Sequence, residues 1–573
     1  MHVKTFTLLI FLHTSLTALA QLNVNFPPAR MVYQRNTSGN AVVFINGTYT
    51  ASIDKIEARL KNRGGEPGSE VGWTEMANVS GNVFSGSLTA VGGRYDLEVR
   101  GMKNGQQVGS SATVEKVGVG EVFLIVGHSN AAAAGESIDM LGAESDLVNS
   151  INTKANPQLY QDYLTFGTAD YLPPLQPTKL CQSCGIAPMA EYPWLWSRLG
   201  DLLVAPDALN VPVLFYSAAF GGSNMDATYK SAYNIPFDHG FIKYSIRMPY
   251  ANIRNTMNAY APRTGLRAIL SMHGINDLDA TADEFKFRSQ MVIEKTREES
   301  GYQQLPWMIA TSCYNNGVVA TITAGQEALI STVPNVFRGA DLNKILNDGR
   351  YDGLHFNGSG QQQAAQRWRD AILDPVVNIR QNAQSFMASA PPLPGPPLPV
   401  TLIQFRGKKT AYGPNELEWV TSSEKNNDYF EIQSSTDAVQ FEVIGNVKGV
   451  GDSKENVTYS FSDETPAKSV TYYRLKQVDF DGTESLSRII AVQGVLDTFD
   501  EFVYPNPAQH YIEIATDNGE TVEELTLFDL KGNTLLKKSK SAQVDVSKLS
   551  KGDYFIQFKL SSGASVRKKI AKM

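Results

Sequence analysis

Residues Gly127-His128-Ser129-Asn130 follow directly on the apolar run Val122-Phe-Leu-Ile-Val126. A serine at the end of a buried strand, entering a helix, lies where backbone N–H groups lack partners and the helix dipole favours negative charge. Serine is also a common helix N-cap, so position alone leaves both readings open. The serine's companions decide between them. Far downstream, Asp352-Gly-Leu-His355 places a carboxylate where it can hold Nδ1 of an imidazole and leave Nε2 to take the serine proton. Gly221-Gly222-Ser223 and His273-Gly-Ile-Asn276-Asp277 each close an apolar run. They can offer a backbone N–H and a side-chain amide to an oxygen that turns negative in a tetrahedral intermediate. Each motif alone reads as a turn. Together they make a nucleophile, base, orienter and oxyanion set suited to acyl transfer.

The elements that must position these groups alternate along the chain. VPVLFYSAAF, LRAILSMHG and LPWMIATSCY are apolar runs of strand length, whereas EYPWLWSRLGDLLV, ADEFKFRSQMVIEKTREE and GSGQQQAAQRWRDAIL are helical in period or composition. Alternation predicts an α/β domain over 118–389 whose parallel sheet is flanked by helices and binds ligands at the carboxyl ends of its strands. Before it, residues 21–117 carry short apolar runs divided by Gly, Asn and Ser, the pattern of an antiparallel β-sandwich-like domain. After it come a stiff proline-rich linker at 390–399, a period-two stretch at 400–497 expected to form a β-sandwich, and a further small β unit at 498–573 with a basic tail.

Residues 1–20 read as a secretory signal: Lys4, the apolar core Leu8–Leu12, and Ala18-Leu19-Ala20 before the expected cleavage. That core is far shorter than the roughly 20 residues a spanning helix needs. No later segment is long enough either, so an exported chain without a stable membrane span is expected. With 573 residues, 42% hydrophobic and 19% charged, the chain suits several globular domains. Its net charge of −7, with Lys and Arg scattered, gives no nucleic-acid footprint. The three cysteines are too few for a disulfide framework. Cys181-Gln-Ser-Cys184 reads as a local loop disulfide in preference to a redox pair or half a zinc site, and Cys313 as a buried thiol.

These motifs resemble those of the SGNH (GDSL-like) hydrolases, and more narrowly the sialate O-acetylesterase-like carbohydrate esterases. GEVFLIVGHSN is similar to the nucleophile block, with Ser129 as nucleophile; AAFGGS to the oxyanion-glycine block, with Gly222 or Gly221 in that place; HGIND to the oxyanion-asparagine block, with Asn276; and DGLH to the acid–base block, with Asp352 and His355. The resemblance implies a three-layer α/β fold over 118–389 and a secreted serine esterase acting on O-acetylated glycans, with the oxyanion held by Ser129, Gly222 and Asn276 and no cofactor. His128 stands where the narrower group has Gln, as a substrate contact or a hydrogen-bonded pocket wall. Residues 400–497 resemble fibronectin type III-like sandwiches, and 498–573, with YPNPA and KGDYFIQF, resembles the C-terminal sorting domain of the type IX secretion system. That resemblance implies export through the periplasm, the secretion machinery as a partner, and a secreted or surface-attached product.

Two rival readings are open to discrimination. An α/β-hydrolase uses GxSxG, but Gly127-His-Ser129-Asn-Ala131 lacks the second glycine, and Asp352 and His355 are close neighbours. A non-catalytic glycan-binding or adhesin protein would not need Ser129, Asn276, Asp352 and His355 together. The linker and the sorting resemblance make one further expectation. A chain ending at Gln493 keeps its activity but accumulates in the periplasm of a host with the type IX system, as fractionation with an esterase assay will read; lost activity or normal surface delivery contradicts it.

Overall fold

The computed structural model describes residues 22–50, 53–133, 141–391 and, with short gaps, 400–572. The signal segment 1–20 and most of the proline-rich linker, 392–399, lie outside the described residues. The chain divides into two compact units, Met1–Pro396 and Pro397–Met573.

The first unit is built around one long strand, β1 (Gln106–Gly127), which ends in a short helix, α1 (Ser129–Ala132). The first part of β1 pairs antiparallel with Gly93–Lys103, which pairs in turn with Lys55–Asn62. A second antiparallel sheet, from Leu22–Phe26, Asn40–Tyr49, Val83–Val91 and Asn78–Ser80, closes over it on Val43, Ile45, Leu60, Phe84, Leu97 and Val99. The last part of β1 is the middle of a different, parallel sheet. Its order is β2 (Val148–Ser150), β3 (Val213–Ser217), β1, β4 (Ala268–Met272), β5 (Trp307–Thr311) and β6 (Val336–Asp341). The boundary expected at 117–118 therefore falls inside a continuous strand, and no linker separates the two sheets.

Period-two alternation along buried strands sorts their side chains onto two faces. Phe123, Ile125, Phe215 and Met308 share one core with α2 (Trp194–Val204) and α6 (Gly358–Leu373). Leu124, Val126, Tyr216 and Ile309 share the other with α3 (Met225–Ala232), α4 (Ala282–Ser300) and α5 (Ala320–Thr332). The result is three layers, helix–sheet–helix. Local sequence sets the helix limits: Thr281 and Glu284 form a capping box at the start of α4, and Gly301 ends it in the left-handed conformation.

In the second unit, Asn415–Ser435 is a spine that pairs first with Val400–Lys409 and Val457–Asp463, then with Glu442–Ser453 and Val470–Asp479. Phe405, Trp419, Phe430, Tyr473 and Leu475 fill the core beneath it. The following residues form two further small antiparallel sheets around Ile512, Leu525, Leu527, Val544, Ile556 and Phe558.

Where β1 passes from one sheet to the next it carries a buried charge, Glu121. This carboxylate accepts hydrogen bonds from Arg267 Nε (2.6 Å), Arg35 Nε (2.8 Å) and Gln34 Nε2 (2.9 Å), and Glu121 and Arg267 are each 1% exposed. Burial alone would raise its pKa; the two guanidinium groups outweigh that and draw it down to about 2. A carboxylate with a depressed pKa stabilises the fold above its unfolded pKa and loses that contribution as pH falls toward about 2. Glu121→Ala strands Arg267 without a counter-charge and is expected to cost about 3–5 kcal/mol. Denaturant unfolding at neutral pH measures this, and the difference from the native chain should shrink toward pH 2; a loss under about 1 kcal/mol contradicts the clamp.

Candidate active site

Every sequence motif singled out above lies past the carboxyl end of a strand: Ser129 after β1, Gly222 after β3, Asn276 after β4, and Asp352 and His355 after β6. Ser129 is the first residue of α1 and does not cap it. The cap is His128, whose Nδ1 accepts the Asn130 backbone N–H at 3.3 Å. The serine hydroxyl is thus left to other partners. Ser129 Oγ lies 2.9 Å from His355 Nε2, and His355 Nδ1 lies 2.6 Å from Asp352 Oδ2. The other oxygen of Asp352 accepts the backbone N–H groups of Leu354 (2.9 Å) and His355 (2.6 Å). With Nδ1 donating to the carboxylate, Nε2 is free to accept from the serine. Burial works against ionising Asp352, but its hydrogen bonds with His355 and Leu354 prevail and hold the pKa below its usual value. Tyr351 lies parallel to the His355 ring, 5.6 Å away.

On the other side of the constellation, Gly221 and Gly222 form the turn after β3. Phe220 N–H donates to Gly127 O at 2.9 Å and Ser223 Oγ to the same oxygen at 3.3 Å, which holds this turn beside the serine's strand. Gly222 has φ +76°, and a Cβ there would lie 2.3 Å from the Phe241 ring. The positive φ is what favours glycine here, since the tip of the exposed Phe241 ring could yield. The Asn276 amide donates to Ser223 O at 2.8 Å, which occupies one of its two hydrogens. Its neighbour Asp277 accepts Met225 N–H at 2.8 Å, at the start of α3, and burial raises the pKa of this carboxyl to about 7. Residues 276 and 277 therefore staple one loop to the next.

His128 is 1% exposed, and burial, followed by the nearby His273, His355 and Arg350, keeps it neutral. His273 is also buried, with its pKa lowered to about 4 by desolvation. Among the described residues no group of three or more His, Cys, Asp or Glu side chains is placed to hold a metal ion. Cys181 and Cys184 are joined in a disulfide, and burial pushes the Cys313 thiol up to about 12.

Motif reading assigned no role to the groups that hold the serine and histidine loops together. The Asn130 side chain donates to Leu354 O (3.1 Å) and accepts Phe356 N–H (3.1 Å), bracketing His355 from the residue next to the serine. Arg350, buried beneath Tyr314 and Phe356, donates to the carbonyls of Leu354, Ile345 and Leu342. The indoles of Trp194 and Trp196 donate to Asn130 O (2.9 Å) and Ala131 O (2.8 Å), satisfying carbonyls that the short helix leaves open. Asn130 was visible as the serine's neighbour. Trp194 and Trp196 carry no local signal, because their partners are backbone atoms far away in sequence; Arg350 carries none because its partners, though only four to eight residues away, are plain backbone carbonyls.

Residues 502–572 match the secretion system C-terminal sorting domain, and this end of the chain is such a domain, of the type IX kind. It indicates export, to a secreted or cell-surface location. Among the described residues no helix is long and apolar enough to cross a membrane. No curated protein matches the chain. A carbohydrate acetylesterase from Xanthomonas citri is similar at 12% identity over 80% of this chain and 98% of its own, with a TM-score of 0.37. A protein from Arabidopsis thaliana is similar at 13% identity over 45% of this chain and 99% of its own, TM-score 0.31. Fibronectin(III)-like modules of Clostridium thermocellum CbhA are similar at 9% identity over 30% of this chain and 93% of theirs, TM-score 0.13. Likenesses this distant carry no argument about the chemistry, which rests on the geometry of the chain itself.

Asn130→Ala leaves the buried Phe356 N–H without its partner and Leu354 O with Arg350 alone. The expected loss is about 1–3 kcal/mol of stability, read as a lowered denaturant midpoint. An unchanged midpoint would show that the bracket does not hold the histidine loop.

Proposed function

We propose that residues 118–389 form an SGNH-type hydrolase and that the protein is an exported serine esterase removing O-acetyl groups from carbohydrates. The observation that carries this reading is the relay from Ser129 Oγ to His355 Nε2 at 2.9 Å and from His355 Nδ1 to Asp352 at 2.6 Å. His355 takes the serine proton as Oγ attacks the ester carbonyl, and Asp352 stabilises the resulting imidazolium. The carbonyl oxygen, now negative, is met by the N–H groups of Ser129 and Gly222 and by the second hydrogen of the Asn276 amide. As the C–O bond of the ester breaks, His355 returns its proton to the leaving alcohol. Water then attacks the acyl-serine while giving a proton to His355; the carboxylic acid departs and Ser129 recovers the proton.

The choice of carbohydrate esters draws on the block GEVFLIVGHSN and on export through the sorting domain. The flanking β regions, 21–117 and 400–497, are proposed as accessory domains that bring the catalytic one to its polymer. A purely glycan-binding role leaves the Ser129–His355–Asp352 hydrogen bonds without a purpose, so the catalytic reading is preferred.

Ser129→Ala should abolish hydrolysis of p-nitrophenyl acetate, and Asn276→Ala should lower kcat by about 100- to 1,000-fold, the usual loss for one oxyanion donor. Melting curves on the same preparations separate chemistry from stability. Near-native turnover in the serine variant would remove Ser129 from the mechanism. Full specific activity of the folded Asn276→Ala fraction would reduce Asn276 to a loop staple.

A further inference from the structure

Phe241 is a large apolar side chain left 58% exposed, and it touches the proposed oxyanion turn. The tip of its ring, Cζ, occupies the space a side chain at Gly222 would need. Two other rings hold it. Phe220 lies parallel to it with centroids 6.3 Å apart, and His239 meets it edge to face at 4.7 Å. Phe220 is fixed in turn by its backbone bond to Gly127, two residues before the nucleophile. The ring is therefore pre-set on a braced support, and more than half of the residue's surface is left to solvent.

An exposed apolar ring beside a catalytic centre marks a binding surface. An ester whose carbonyl oxygen sits at Gly222 N–H must carry its alcohol portion across the neighbouring surface, and Phe241 is part of that surface. Aromatic faces bear partial negative charge and attract C–H groups that carry partial positive charge. A pyranose ring presents such C–H groups on one face and keeps its hydroxyls at the rim. We infer that Phe241 is a stacking platform for the sugar ring that carries the scissile ester, and so a specificity-determining residue. This rests on the ester-hydrolase reading given above, and it names the part of the substrate recognised outside the reacting carbonyl.

The test compares two substrates in the full chain: p-nitrophenyl acetate, which has no sugar, and peracetylated glucose. In Phe241→Ala the ratio of kcat/KM for the sugar ester to that for p-nitrophenyl acetate should fall about tenfold, mainly through KM. Phe241→Trp should restore the ratio, since the flat face returns. An unchanged ratio, or equal losses on both substrates, overturns the platform and leaves Phe241 as packing for Gly222. Calorimetric titration of Ser129→Ala with acetylated xylo-oligosaccharide, with and without Phe241→Ala, reads the platform without turnover. Binding that weakens about tenfold with the ring removed supports it; equal binding, or none in either protein, overturns it. Should the native chain hydrolyse neither ester while binding still depends on the ring, the esterase reading fails and the platform stands.

Discussion

The hydrogen bond between Ser129 and His355 joins residues 226 apart in sequence, and the chain's central architecture is arranged to hold it. The serine leaves the middle strand of the parallel sheet, β1, while the histidine loop follows the edge strand β6. A loop that crosses from edge to centre must be held there, since an unsupported loop pays conformational entropy for every ordered residue. The support comes from backbone carbonyls gripped by side chains. Asn130 holds both sides of His355, and Arg350 collects three carbonyls around the same loop. Beyond the loop, α6 packs on α2 through Trp368 and Trp196, 6.2 Å apart, and the Trp196 indole returns to the turn just after the serine. Ser129 and His355 are thereby tied to one helix pair.

The same economy governs the junction with the N-terminal sheets. A single strand, β1, runs through both, so the two cannot hinge at a flexible connection. Glu121 locks the crossing point by gathering Arg267 from β4's approach and Arg35 from the N-terminal region around one buried carboxylate. The second unit has cores of its own, and its last seventy or so residues have a separate purpose in sorting.

Much of this was legible in the sequence because it depends on local pattern. The runs VPVLFYSAAF, LRAILSMHG and LPWMIATSCY contain β3, β4 and β5, and the three helical stretches cover α2, α6 and all but the last residue of α4. Of the motif residues, Ser129 meets His355 and His355 meets Asp352. Other features were hidden for physical reasons. Strand β6, VFRGAD, is an edge strand whose Arg338 pairs with Glu327 at the surface, so its pattern is not a clean apolar run. β2 has only three residues, too few for any period to show. The break expected near 118 follows a true change in composition, yet the hydrogen-bonded strand continues through it, because Gly118 and Gly120 let Pro212 and Val32 approach closely. Asn130 and Arg350 act on backbone N–H and carbonyl groups, so no sequence signal could have named their partners.

The central claim is that Ser129 is the nucleophile activated by His355. A fluorophosphonate, which reacts with activated serines and stays bound, tests it directly on the intact protein. Mass spectrometry of the treated chain should find one adduct, and peptide mapping should place it on Ser129. The adduct should be lost in His355→Ala while that variant remains folded by circular dichroism. No adduct on the native chain, an adduct on another residue, or undiminished labelling without His355 would contradict the account.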